Sequence, residues 1–257
     1  MIRNSFIILP RIGRTREAGI WKQGITDWQG FRDTKKIKGM SRSHKSRHDR
    51  FLSTAAECLH SSNTEFFTYY LPRIESWRLY NLFKDEAVYL DIETSFDGDI
   101  TVVGMYDSTD TKTMIKGINL DAKNLKQYLQ RFKLIMTFNG SSFDLPILNK
   151  YYPGCIPRMP HMDLMHCCRR IGLTGGLKKI EKKLGIARDE EVEHVVGSQA
   201  PLLWRHYKAT GDEHYLRLLV KYNDEDVINL KPLAEHAYGR LSQELRQNYL
   251  NPQAKKG

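Results

Sequence analysis

Cysteine is scarce in this chain: four in 257 residues, two of them adjacent at Cys167 and Cys168. So few thiols build no disulfide scaffold, and the fold is expected to rest on an apolar core in a reducing compartment, the cytoplasm. Long hydrophobic runs are missing too. Uninterrupted apolar stretches such as Phe6–Leu9 and Ala87–Leu90 fall far short of the roughly 20 residues that cross a bilayer, so no membrane association is expected. Arg11, Arg14 and Arg16 follow the first of these stretches closely, which reads against a secretory leader. His161, His166, Cys155, Cys167 and Cys168 offer zinc-ligand types without any CxxC spacing, and Thr174-Gly175-Gly176 lacks the spacing of a phosphate-binding loop. Apolar side chains are plentiful, at 40% of the residues, enough for a core.

The net charge of +10 is unevenly spread: residues 1–50 hold 13 Lys and Arg against 4 Asp and Glu. A basic block of this kind commonly meets a polyanion, and without a membrane anchor nucleic acid is the preferred partner. Residues 32–50 are basic, with Ile37 and Met40 as the only apolar residues, and read as a mobile linker. The unit before it, residues 1–31, has a turn at Pro10 and Gly13, a helix from Arg14 to Gln23, a stop at Gly24 and a second helix capped by Thr26 or Asp27. It resembles a truncated helix-hairpin-helix motif, which implies that Arg11, Gly13 and Arg14 contact nucleic acid. An apolar plug formed by Ile8, Trp21, Trp28 and Phe31 is the alternative, and the two are compatible. Removing residues 1–50 is expected to weaken substrate binding.

Residues 51–85 read as a helical connector and 241–257 as a C-terminal tail. Between them, in 86–240, strands are expected at Ala87–Glu93, Ile100–Tyr106, Thr113–Gly117 and Leu134–Phe138, with a helix at Asn124–Phe132 and helices dominating after Asp144. Hairpin-linked strands followed by helix, strand and helices is the order of a ribonuclease H-like α/β fold, expected as a mixed five-stranded sheet flanked by helices with a small basic helical extension at the N-terminus.

Asp91 and Glu93 lie two apart on a strand and project from one face, while Ile92 points to the other. Carboxylates about 4 Å apart repel by roughly 4 kcal/mol at an effective dielectric near 20, so the pair needs a cation or a proton. Asp189/Glu191 and Asp224/Asp226 share that spacing, and an exposed strand end explains any one pair equally well. Asp144 follows an apolar strand at its C-terminal edge, where α/β sheets build sites, or else caps the next helix. Tyr222 and Asp226 stack on one helix face.

Asp91-Ile92-Glu93, Asn139 to Asp144, and Tyr222 with Asp226, in that order, resemble the DEDD (DnaQ-like) superfamily of 3′–5′ exonucleases. Tyr-x-x-x-Asp is similar to its tyrosine subtype. His161 to Leu164, Leu177 to Gly185 and Trp204 to Tyr207 resemble the YprB-type ribonuclease H-like branch, in which His often stands where this chain has Tyr222. The resemblance implies two divalent ions, Mg²⁺ or Mn²⁺, held by Asp91, Glu93, Asp144 and Asp226. It implies a water oriented by Tyr222, a strand contact from Asn139, and release of nucleoside 5′-monophosphates. Single-stranded DNA is the favoured substrate and RNA remains open. The alternatives are a nucleic-acid-binding module with a degenerate site and a structure-selective endonuclease of the same fold.

Overall fold

The structure is a computed structural model that describes residues 1–250. Its N-terminal region comprises α1 (Arg14–Trp21), α2 (Trp28–Asp33), α3 (Arg42–His60) and α4 (Glu65–Tyr70), then a 3-10 turn over Arg73–Leu79 and the short α5 (Tyr80–Phe83). The sheet region follows: β1 (Ala87–Thr94), β2 (Ile100–Tyr106), β3 (Thr111–Ile115), α6 (Ala122–Leu129), β4 (Leu134–Thr137), α7 (Asp144–Tyr151), β5 (His161–Asp163) and α8 (Leu164–Arg170). Helices α9 (Leu177–Leu184), α10 (Glu190–Glu193), α11 (Ala200–Thr210) and the long α12 (Glu213–Leu245) close the chain. Among the described residues no helix is long and apolar enough to cross a membrane.

The strand order is β3-β2-β1-β4-β5. β1 is central, antiparallel to β2 and parallel to β4, with β5 parallel to β4 at the edge. This is the expected mixed α/β sheet. The fifth strand, only three residues long, lies where helical periodicity alone suggested no strand. Successive β1 side chains divide the core: Val88, Leu90 and Ile92 pack with Leu125, Leu129 and Leu148, while Ala87 and Tyr89 pack with Leu230, Leu233 and Ala234 of α12. Glu93 and Asp91 continue that second row toward α12.

The N-terminal readings need two corrections. Residues 32–50 are not a mobile linker, because α3 starts at Arg42 behind a Ser41 side chain that accepts from His44 N. Its buried face runs Lys45, His48, Leu52, Ala55 and Leu59, so the first two inward positions carry polar residues that hide the apolar stripe. Lys45 is accommodated by Asp49, one turn on at 2.6 Å, and by the Phe31 ring at 5.0 Å. Residues 1–31 pack as the apolar plug, the alternative reading. Ile2, Phe6, Ile8, Trp21, Trp28 and Phe31 join the core cluster that contains β1, β4 and α12. Deleting residues 1–50 therefore removes core, and the result would report unfolding rather than substrate binding. The proposed tail also begins inside α12, where Leu241 and Ser242 are buried; residues 251–257 lie outside the described residues.

A buried ion network fastens the N-terminal unit. Arg78 donates to Glu17 (2.8 and 2.9 Å) and to Glu75 (2.7 Å), and Arg14 donates to Glu75 at 2.6 Å. Glu17 also accepts from the backbone N–H groups of Phe6 (2.7 Å) and Ile7 (3.0 Å).

Candidate active site

β4 pairs with β1 only up to Tyr89 opposite Met136. Beyond that point β1 has β2 on one side, with Asp91 opposite Gly104 and Glu93 opposite Val102. An unpaired buried N–H is costly, and Asp144, the first residue of α7, fills the gap: its Oδ1 accepts from Ile92 N at 3.0 Å. Asp144 is thus not an N-cap; Phe143 holds that position.

The turn that delivers Asp144 is tightly specified. Asn139 takes a left-handed backbone, φ 67. Gly140 lies so close to Thr137 that a Cβ there would sit 2.2 Å from the Thr137 hydroxyl oxygen. Asp163, at the end of β5, accepts from the backbone N–H groups of Asn139 (2.9 Å) and Ser141 (3.0 Å), and from Met165 N (3.1 Å) as the cap of α8. Burial pushes its carboxyl up, but hydrogen bonds from the Ser141 hydroxyl and from the Ser141 and Asn139 N–H groups, with His161 nearby, overcome this and hold it below the usual range.

α12 crosses β1 and β2 and brings Tyr222, Asn223 and Asp226, all buried, to the two strand acids. Ligand oxygens of Asp91, Glu93 and Asp226 lie within 4.8 Å of one another. Burial is the first cause that raises all four acids above the ordinary carboxylate range, Asp144 to about 7. Mutual repulsion adds to it: Asp144, Asp226 and Glu93 act on Asp91, and Asp226 and Asp144 act on Glu93. Asp224, by contrast, faces away and accepts from Thr113 Oγ1 at 2.7 Å; Asp189 pairs with Lys221 at 2.8 Å.

Three residues outside the expected set complete the arrangement. Arg188, with a buried side chain, donates to both oxygens of Glu181 at 2.7 Å and also to Asp226. Asn223 Nδ2 donates to Asp91 Oδ2 at 2.9 Å. Gly104 makes room for that amide, because a Cβ there would come 1.9 Å from Asn223 Oδ1. A lone glycine inside a strand is the sequence signal for such an approach. Arg188 carried no comparable signal, since its two acidic partners are 7 and 38 residues away. Lys178 Nζ donates to the carbonyls of Glu193 and Val195 and lies 4.9 Å from the Tyr222 ring centre. Burial first, then Asp226, Glu93 and Asp91, push the Tyr222 phenol far above its ordinary value, so it stays protonated.

Of the residues expected to contact nucleic acid, Arg11, Gly13 and Arg14 belong to the N-terminal unit and Asn139 to the sheet region. Asn139 lies in the turn beside the site. Gly13 is the exposed N-cap of α1, and Arg14 turns inward to Glu75. Arg11 is exposed with a left-handed backbone, φ 65.

The donor set suits a hard divalent cation: the ligands are carboxylate oxygens, buried and mutually repelling. Two polar atoms beside them, Asn223 Oδ1 and Arg188 Nη1, are buried with no hydrogen-bond partner.

Comparison with known proteins agrees with this geometry. Over 121 residues the chain is 29% identical to "Uncharacterized protein YprB" of Bacillus subtilis (strain 168), a match covering 43% of this chain and 29% of that protein. The chain therefore matches less than a third of that relative's length. No solved structure gives a significant match. Residues 88–238 match the RNase H superfamily (RNase_H_2). That match takes in more than half of the chain, with the sheet from Val88 onward, α12 as far as Tyr238 and all four acids inside it, and the chain belongs to the RNase H superfamily.

Proposed function

We propose that the chain is a metal-dependent 3′–5′ exonuclease of the tyrosine subtype, acting on single-stranded nucleic acid, DNA by preference. The observation that carries this reading is the Asp91–Glu93–Asp226 cluster, with its oxygens inside 4.8 Å and buried Asp144 attached to the same strand edge. Mg²⁺ or Mn²⁺ held there supplies positive charge for the phosphate and acidifies a water. Asp91, Glu93 and Asp226 would hold one ion, and Asp91 with Asp144 the other. Asn223 fixes the rotamer of Asp91, and Arg188 fixes that of Asp226. Tyr222, protonated at neutral pH, can orient the attacking water but cannot serve as its base. Asn139, in the turn beside Asp144, would touch the strand. The four free cysteines fit a cytoplasmic protein.

The test is single-nucleotide-resolution degradation of 3′- and 5′-labelled single strands, DNA and RNA in parallel, with Mn²⁺, Mg²⁺ or chelator. A ladder that recedes from the 3′ end only with metal is expected. Cleavage of a circular strand would make the enzyme an endonuclease, and intact strands that still bind would leave a binding module. Gly104→Ala should lower kcat or metal affinity by about 10- to 100-fold with KM for the strand nearly unchanged, because the added Cβ displaces Asn223 from Asp91. Steady-state kinetics and Mn²⁺ titration of the same variant check it.

A further inference from the structure

The basic excess of the N-terminal fifth has a focus. A cavity of about 310 Å³ lies between the Pro10–Ile12 turn and the first turns of α3, and Arg11, Arg16, His44, Arg47 and His48 line it. No carboxylate belongs to its lining. The acid that acts on His48 from α3 is Asp49, and Lys45 already holds it at 2.6 Å. Arg16 Nη1 donates to the Arg11 carbonyl at 2.9 Å, which fixes one guanidinium against a turn whose own Arg11 backbone is left-handed. At the wall, His48 is 6% exposed, and its Nδ1 is buried with no hydrogen-bond partner. His48 thus brings an unpartnered buried ring nitrogen to a wall whose charged neighbours include Arg47 and whose one nearby acid, Asp49, is already held by Lys45.

We propose that this cavity binds a backbone phosphate of the nucleic-acid strand, with Arg11, Arg16 and Arg47 supplying the charge and His48 Nδ1 a buried hydrogen-bond partner. A strand rather than an isolated phosphate fits the surroundings, since Arg32, Lys35, Lys36, Lys38, Arg42 and Arg50 are exposed on the same N-terminal region and extend the positive field beyond one anion. The choice of a strand rests on the nuclease reading of the acidic site; the anion site itself stands on the cavity. It replaces the hairpin contact implied by the sequence, because Arg14 is committed to Glu75.

The experiment compares Arg16→Ala/Arg47→Ala with Lys35→Ala/Lys36→Ala, which removes equal charge outside the cavity. Anisotropy of a labelled single strand is measured in chelator from low to moderate salt, and inorganic phosphate is titrated against the His48 ring resonances of the wild type. The cavity pair is expected to weaken strand binding roughly tenfold and to flatten the log–log salt slope by about 0.7, the value for one phosphate contact on a single strand, the control pair having a clearly smaller effect. Phosphate is expected to shift His48 in competition with the strand. Equal losses in both pairs overturn the proposal. So does a His48 shift by phosphate without any loss of strand binding in the cavity pair, which would leave a site for a small anion. Metal-dependent shortening of the same strand by the wild type reports on the nuclease reading separately. If shortening fails while the cavity pair still loses binding, the cavity assignment stands.

Discussion

Asp91→Asn is expected to lower metal-dependent hydrolysis by about a thousandfold or more while raising the melting temperature of the metal-free protein. The first effect follows from removing a charge that one or both ions require; several kcal/mol of transition-state stabilisation corresponds to that factor. The second follows from the electrostatics of the site without metal. Burial, then Asp144, Asp226 and Glu93, hold the Asp91 proton more tightly in the folded chain than in the unfolded one. A carboxyl whose folded-state value is raised makes the protein less stable as pH climbs from the ordinary carboxylate range toward and past the folded value. The variant lacks that penalty, and Asn at this position can still accept from Asn223. Saturating Mn²⁺ should reverse the order, since binding at a hundred times Kd adds about 2.7 kcal/mol, worth roughly 5 to 10 °C in a chain of this size, chiefly to the wild type. Thermal melts at pH 8 with and without metal, beside turnover, decide the matter. Equal turnover in the two proteins would sink the active-site assignment.

Arg78→Ala should cost about 3–5 kcal/mol of stability, read as a lower urea midpoint by tryptophan fluorescence. Arg78 is buried between Glu17 and Glu75, both 1% exposed or less, and its fork contacts each of them as well as Ser5 Oγ at 2.8 Å. Removing it leaves the buried Glu17 carboxylate without its cation and takes from Glu75 one of three arginines. Arg78→Lys should rescue little, because an ammonium cannot span both acids. Burial pushes Glu75 up, but Arg78, Arg170 and Arg14 overcome this and hold its carboxyl below the ordinary range. Its contribution is therefore complete above the usual glutamate range and is lost as pH falls through the lowered folded value. The variant should show a weaker acid transition than the wild type. An unchanged midpoint would mean that the network adds nothing net.

The centre of the sheet was legible because β1 and β4 are apolar runs bounded by turn signals, and because paired acids at the end of an apolar strand contradict their surroundings. β5 was not: three residues carry no period, and it is their parallel pairing with Ile135 to Thr137 of β4 that defines them as a strand. α3 was obscured by Lys45 and His48 at inward positions, a case of tertiary context overriding composition. The four acids stood out as an ordered set, whereas the groups that aim them did not. Asn223 sits inside the Tyr222-to-Asp226 motif, but its donation to Asp91 depends on packing opposite Gly104, a strand glycine that signals a close approach without saying which residue makes it. Arg188 lies in a polar stretch where a buried side chain is unexpected.

The first residues of the chain pack against the last: Trp21 lies 5.1 Å from Tyr249, ring centre to ring centre, and the N-terminal apolar side chains share a cluster with Leu230 to Leu241. Translation at ~5–20 residues per second separates the appearance of the two ends by on the order of ten to fifty seconds. During that interval Phe6, Trp21, Trp28 and Phe31 have left the ribosome while the helix that covers them does not yet exist. The nascent chain thus carries an aromatic surface that stays uncovered until α12 docks.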